Sequence, residues 1–240
     1  MDLGGDLSLQ VASGIFHQAP SLLSLSVSES GLPVNLGLRQ QRNRQLVGGL
    51  AWTATPGLRL SAEGFYKEYD RVALLRDDPR VALTNLGGDY GFVGAEPLTD
   101  DGTGRARGVE LVVQQKLLTS SYFLGAYTLS WSEFAGADGV LRRSAWDRRH
   151  ALDLTGGLRS GRSWDIGAKL RWLSGLATTP WDLSASEISY ALTGRGVPDW
   201  DRSGEVRTPA YVRFDLRVER RFDYSGWNGV LYVDLQNVLA

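Results

Sequence analysis

The strongest constraint on this chain is a two-residue hydrophobic period that recurs from one end to the other. In Tyr211 to Phe222, Val212, Phe214, Leu216 and Val218 alternate with Arg213, Asp215, Arg217, Glu219 and Arg221. Successive side chains of a β-strand point to opposite faces, so this segment makes one oily surface and one charged surface. The same alternation appears in Leu58 to Tyr69, where Leu58, Leu60, Ala62 and Tyr66 oppose Arg59, Ser61, Glu63 and Lys67. It returns in Leu7 to Phe16, where Leu7, Leu9, Val11 and Ile15 oppose Ser8, Gln10 and Gly14.

Read this way, the chain has nine strands: those three, together with Leu46 to Ala54, Arg105 to Leu117, Tyr122 to Phe134, Arg149 to Leu158, Ser163 to Ser174 and Asn228 to Val238. Several reach the roughly 9–11 residues that a tilted strand needs to cross a bilayer. Tight turns are expected at Thr55-Pro56-Gly57, Leu118 to Ser121, Arg159 to Arg162 and Asp223 to Gly226, where the residues suit turns. Between them lie long segments, His17 to Gln45, Asp70 to Gly104, Ala135 to Arg148 and Gly175 to Ala210. Short turns alternating with long loops are the pattern of an outer-membrane barrel, and compact soluble domains seldom carry several loops of that length. No helical period interrupts the series, so the expected class is all-β, an antiparallel up-and-down transmembrane barrel. Within Ser163 to Ser174, Trp164 and Trp172 bracket Ile166, Ala168 and Leu170 on one face, as in a lipid-facing stripe with aromatic residues at both interfaces.

An odd number of strands cannot close a single-chain bacterial barrel, and an open edge in lipid would leave backbone groups unpaired. Either one strand escapes this count or the chain is part of a larger barrel, and the second is expected. The amino terminus, Met1-Asp2-Leu3-Gly4-Gly5, lacks the basic and apolar stretches of a secretory signal.

Composition excludes more than it assigns. The net charge of −1 gives no global field to recruit nucleic acid, and the absence of cysteine removes disulfides, thiol catalysis and thiolate metal sites. The two histidines, His17 and His150, lack partners at the spacing of a helical zinc motif, and no G-x-S-x-G nucleophile elbow occurs. Asp100 and Asp101 offer hard oxygens for calcium but read as a solvated acidic loop tip. Gly102 to Gly108 has the wrong spacing for a phosphate-binding glycine loop and reads as a flexible loop ending before a strand. No enzyme activity, metal or other cofactor is expected.

Five segments stand out: Gly104-Arg105-Ala106-Arg107-Gly108-Val109-Glu110, Trp146-Asp147-Arg148-Arg149-His150, Thr179-Pro180-Trp181-Asp182, Arg207 to Arg217 and Asp234-Leu235-Gln236-Asn237-Val238. In order and spacing they resemble the C-terminal barrel of TonB-dependent outer-membrane receptors. Phe65 to Tyr69 and His17 to Pro20 resemble weaker patterns of the same family. The resemblance implies a barrel of about 22 strands, plugged by an N-terminal domain. It implies import of a scarce nutrient (a siderophore, vitamin or oligosaccharide), powered through the TonB protein at the outer membrane of a Gram-negative bacterium. Residues 1–240 are then expected to be one partial barrel domain without the plug, the signal peptide or the final strands, and inactive by themselves. The expected partners are lipid, the plug, TonB and a small nutrient ligand, with no nucleic acid.

On that reading Glu63, Lys67, Glu110, Lys169, Arg171, Arg213, Asp215, Arg217 and Asp234 line a wet lumen, and Trp181, Tyr190, Arg195 and Trp200 are ligand candidates in the longest loops. Two other readings fit parts of the pattern: a soluble β-sandwich binding module, and a small outer-membrane barrel enzyme.

Overall fold

The computed structural model describes residues 6–86, 93–116 and 120–239. Nine long strands form one continuous antiparallel sheet in chain order. They are β1 (Leu7–Gln18), β2 (Gln41–Thr55), β3 (Leu58–Leu75), β4 (Leu98–Gln115) and β5 (Ser121–Ala135), then β6 (His150–Ser160), β7 (Trp164–Leu173), β8 (Tyr211–Tyr224) and β9 (Trp227–Leu235). A short strand, Leu141–Arg143, adds to the upper end of β5. Among the described residues β1 and β9 do not pair with each other, so the sheet is open. This is the partial up-and-down wall that the alternation predicts.

Register fixes the two faces. Rows such as Gly125, Leu154, Leu170 and Phe214 run across four strands on the apolar face. The adjacent row on the other face carries Thr155, Lys169 and Asp215. A slip of one residue would exchange every side chain between faces, so the apolar pattern itself holds the register. The polar face is not uniform: Val47, Phe65, Val112 and Leu124 also lie on it.

Short connections gather at one end. The β6–β7 turn uses Gly161 at φ 63° and the β8–β9 turn uses Gly226 at φ 101°, conformations that favour glycine. Half of the predicted turn at Leu118 to Ser121, residues 118 and 119, falls outside the described residues. Long connections occupy the other end, where strands run further than the alternation indicates. At about 3.3 Å per residue, an 18-residue strand is about 59 Å long, well over what a bilayer crossing needs. The upper parts of β3 and β4 therefore stand clear of the apolar belt. Here lies the buried cluster of Val72, Leu74, Ala82 and Phe134, with Tyr69 packed against it.

Two expectations are corrected here. The segment from Gly102 to Gly108 is strand interior, not a flexible loop ending. Its glycines are slots for neighbouring side chains: a Cβ on Gly102 would lie 2.5 Å from Leu74, one on Gly108 2.7 Å from Phe65, and one on Gly104 would overlap the Phe134 ring. The chain also contains one helix of three turns, α1 (Leu183–Thr193), inside the last long loop. Asp182 caps it by accepting from the Ala185 N–H at 3.0 Å, and Gly194 ends it in the left-handed region at φ 69°. None of its residues is buried, so it needs no apolar stripe and leaves no 3.6-residue period to detect.

Candidate functional site: the two faces of the wall

The apolar face has no protein cover. Val11 is 68% exposed, Leu231 65% and Val233 57%, and no second layer packs on this face among the described residues. A soluble sandwich would bury such a face under a second sheet. Aromatic residues bracket the belt. Near the short turns lie Trp52, Trp164 and Trp227; near the loops lie Tyr66, Trp131 and Trp172. Above the belt the same face turns ionic: Arg42 and Arg44 hold Asp70 at 2.8 and 2.6 Å, and Arg105 holds Glu133 at 2.9 Å. His150 sits at this upper edge, its Nδ1 2.8 Å from the Tyr127 hydroxyl and its ring stacked between Tyr127 and Trp172. His17 pairs in register with Arg42 at the top of β1.

The opposite face carries a ladder of ion pairs across β6 to β9. Arg171 meets Asp153 at 2.6 Å, Arg213 meets Asp215 at 2.8 Å, Arg217 meets Glu219 at 3.0 Å and Arg221 meets Asp165 at 2.8 Å. Arg217 also lies 4.0 Å over the Tyr232 ring and 3.9 Å from Asp234. Lys169, Arg171, Arg213 and Asp215 share one small polar recess with Tyr211. These pairs are exposed to water, which screens them, so each contributes little to stability. Their effect is to keep the face hydrated and both signs available. Two strands away the balance differs. Glu63 and Glu110 stand directly opposite in register on β3 and β4, an unfavourable like-charge pair with no ion-pair partner among the described residues. Lys67 lies further along β3, 5.3 Å over the Phe65 ring.

The loop candidates lie on separate small elements of the last long loop. Trp181 pairs in a two-residue ladder with Pro198, and its indole lies 2.9 Å from where a Cβ on Gly196 would be. Tyr190 is on α1 and 66% exposed, Arg195 is exposed beyond the helix cap, and Trp200 opens a single 3-10 turn. Asp100, read in sequence as part of a loop tip, is in β4; it accepts from the Arg39 backbone N–H at 2.6 Å and binds its guanidinium at 2.8 Å. A protein cation thus occupies its carboxylate, and among the described residues no cluster suited to a metal ion occurs. In the loop after β3, the Arg80 guanidinium holds the Asp78 carboxyl below its usual range; Arg142 does the same for Asp138.

One feature had no signal in the spacing. Asp147 is fully buried between β5 and the last loop. Its carboxylate accepts from the Ser132 N–H at 2.9 Å and forms a very short pair with Arg207. Arg207 also donates to the Asp147 carbonyl at 2.9 Å and to the Gly175 carbonyl at 2.8 Å. The two residues are 60 positions apart, so only the fold shows that they form a latch tying both ends of the long segment 174–210 to the top of the wall.

An open sheet with one lipid-compatible face, one ionic face, and long loops at a single end defines part of the wall of a large outer-membrane-type barrel. The family description "TonB dependent receptor-like, beta-barrel" matches residues 7–238, and the chain belongs to this family. No curated protein matches the sequence. Among solved structures, the chain is similar to the ferric-catecholate import receptor Fiu from Escherichia coli K12 (16% identity, TM-score 0.66), covering 99% of this chain and 29% of that one. It is similar to FpvA of Pseudomonas aeruginosa bound to pyoverdine (15% identity, TM-score 0.65, 99% and 28% covered). It is also similar to the copper transporter OprC (14% identity, TM-score 0.62, 99% and 33% covered). The chain thus spans about a third or less of the length of these relatives.

Proposed function

We propose that this chain is part of the barrel wall of an outer-membrane receptor that imports a scarce small nutrient, drawing energy through TonB. The observation that supports this most is the division of the nine-strand sheet into an uncovered apolar face and an ionic face, with long loops at one end only. The apolar face contacts lipid. Glu63, Lys67, Glu110, Lys169, Arg171, Arg213, Asp215, Arg217 and Asp234 line the lumen, where a plug domain docks; a cation of the plug would relieve the opposed Glu63 and Glu110. Nutrient is captured on the loop side, with Trp181, Tyr190, Arg195 and Trp200 as contacts, and passes along the ionic face when the plug moves. The cargo classes are siderophore complexes, with vitamins, oligosaccharides and, from the likeness to OprC, copper as the remaining arms of the test.

The test is uptake of labelled cargo under limitation in cells with and without the intact protein. One cargo should lose uptake on deletion of this gene and equally on deletion of TonB. Unchanged uptake of every cargo, with the protein in the soluble fraction, would overturn the reading.

A further inference from the structure

The lipid-facing side of the wall is not smooth. Across β5, β6 and β7 runs an open apolar groove of about 560 Å³. Register places Phe123, Gly156 and Ala168 in one row, so two small residues form the floor beside a large ring. Leu158 and Ile166 wall it toward the short turns, and Phe214 toward the loops. The floor has no Cβ at Gly156, where an added one would stand 3.3 Å from the Tyr122 carbonyl.

A cation stands beside this groove. Arg220 of β8 falls on the lipid-facing side, paired in register with Trp164 and Leu231. Its guanidinium lies 5.2 Å over the Trp164 ring and 4.9 Å over Phe222, and it has no ion-pair partner among the described residues. At the other edge of this face Arg42, Arg44 and Arg105 are neutralised by Asp70 and Glu133, whereas Arg107 lies 5.6 Å over the Trp131 ring, far from this groove. Arg220 is one same-face step beyond Val218, the register partner of Ile166, so about 7 Å separates its Cα from the level of the groove wall. A lone charge here, held at the depth of an aromatic girdle, calls for an anion next to an apolar chain.

We propose that this surface is a binding site for one glycerophospholipid of the periplasmic leaflet, its phosphate on Arg220 and an acyl chain in the Gly156/Ala168 groove. The assignment of leaflet rests on the barrel reading above, which puts the short turns on the periplasmic side. A neutral lipid would satisfy the groove and leave Arg220 unpaired; a free anion would satisfy Arg220 and leave the groove open. The diacyl phosphodiester satisfies both.

The test uses the intact protein reconstituted in vesicles of phosphatidylethanolamine and phosphatidylglycerol, then transferred to detergent and weighed by native mass spectrometry. The protein should retain one phospholipid. Arg220→Gln should lower the retained fraction about tenfold, the effect of one charge-assisted hydrogen bond. Ala168→Leu, which fills the groove, should do likewise, and Arg220→Lys should keep most of the retention. Equal retention by wild type and both loss variants would overturn the site, as would a dimer mass without lipid, which would assign the groove to a second copy. Protein that enters the vesicles but binds lipid indifferently defeats this inference alone; protein that never enters them defeats the barrel reading as well.

Discussion

At the scale of single residues, the described ion pairs divide by burial into two kinds. Arg171 and Asp153 are both more than a third exposed, and water screens their attraction. Asp147 has no exposed side-chain surface, so its charge depends on Arg207, on Arg149 at 3.5 Å and on the Ser132 N–H. Truncating Arg207 to alanine should therefore cost about 2–3 kcal/mol, below the roughly 3–5 kcal/mol of a buried charge left with no partner, because Arg149 remains within reach. Arg171→Ala should cost no more than about 1 kcal/mol. The midpoint of urea unfolding in vesicles measures both. Hydrogen exchange should show the Arg207 variant loosening residues 174–210 first, because its side chain also holds the Gly175 carbonyl. Asp147 and Arg207 each lie within segments that resemble the family, yet their pairing could not be read from sequence. The geometry that buries them is made by β5, β6 and a loop returning across 60 residues.

At the scale of elements, all nine wall strands were legible from period alone, because each must keep one face apolar along most of its length. Their upper ends were not. Beyond Asp70 the register of β3 against β4 shifts twice, at Asp70/Val72 and Val72/Leu74, and Arg71 takes φ 59°. These bulges break the alternation where lipid no longer enforces it. The exposed helix α1 was hidden for the opposite reason, having caps but no buried stripe. Gly104 shows what the extended β4 requires: its missing side chain admits the Phe134 ring that closes the small buried cluster. Gly104→Val should destabilise by about 1–3 kcal/mol through overpacking. Gly48→Val should be nearly neutral, since nothing lies within 4 Å of a Cβ there. Urea midpoints of the two variants should differ accordingly, and equal midpoints would refute the slot.

At the scale of the whole molecule, the sheet is a surface with two solvents. Few of its hydrophobic residues are buried by protein, and an uncovered apolar face of nine strands exceeds the patches that soluble monomers expose. On the proposed reading, lipid on one side and a wet lumen on the other account for both the lack of a second layer among the described residues and the ion-pair ladder. The candidate site was legible at this scale as a face. Within it, the opposition of Glu63 to Glu110 and the recess around Lys169 and Arg213 required register, which sequence alone does not supply.

The central claim is tested most directly on β8. The chain contains no cysteine, so single cysteines can be placed at successive positions from 212 to 219 of the intact protein and spin-labelled in vesicles. Collision rates with oxygen and with a water-soluble nickel chelate should then alternate with a period of two. Val212, Phe214, Leu216 and Val218 should favour oxygen; Arg213, Asp215, Arg217 and Glu219 should favour nickel. Nickel accessibility at all eight positions, or oxygen preference without alternation, would contradict a wall between lipid and lumen.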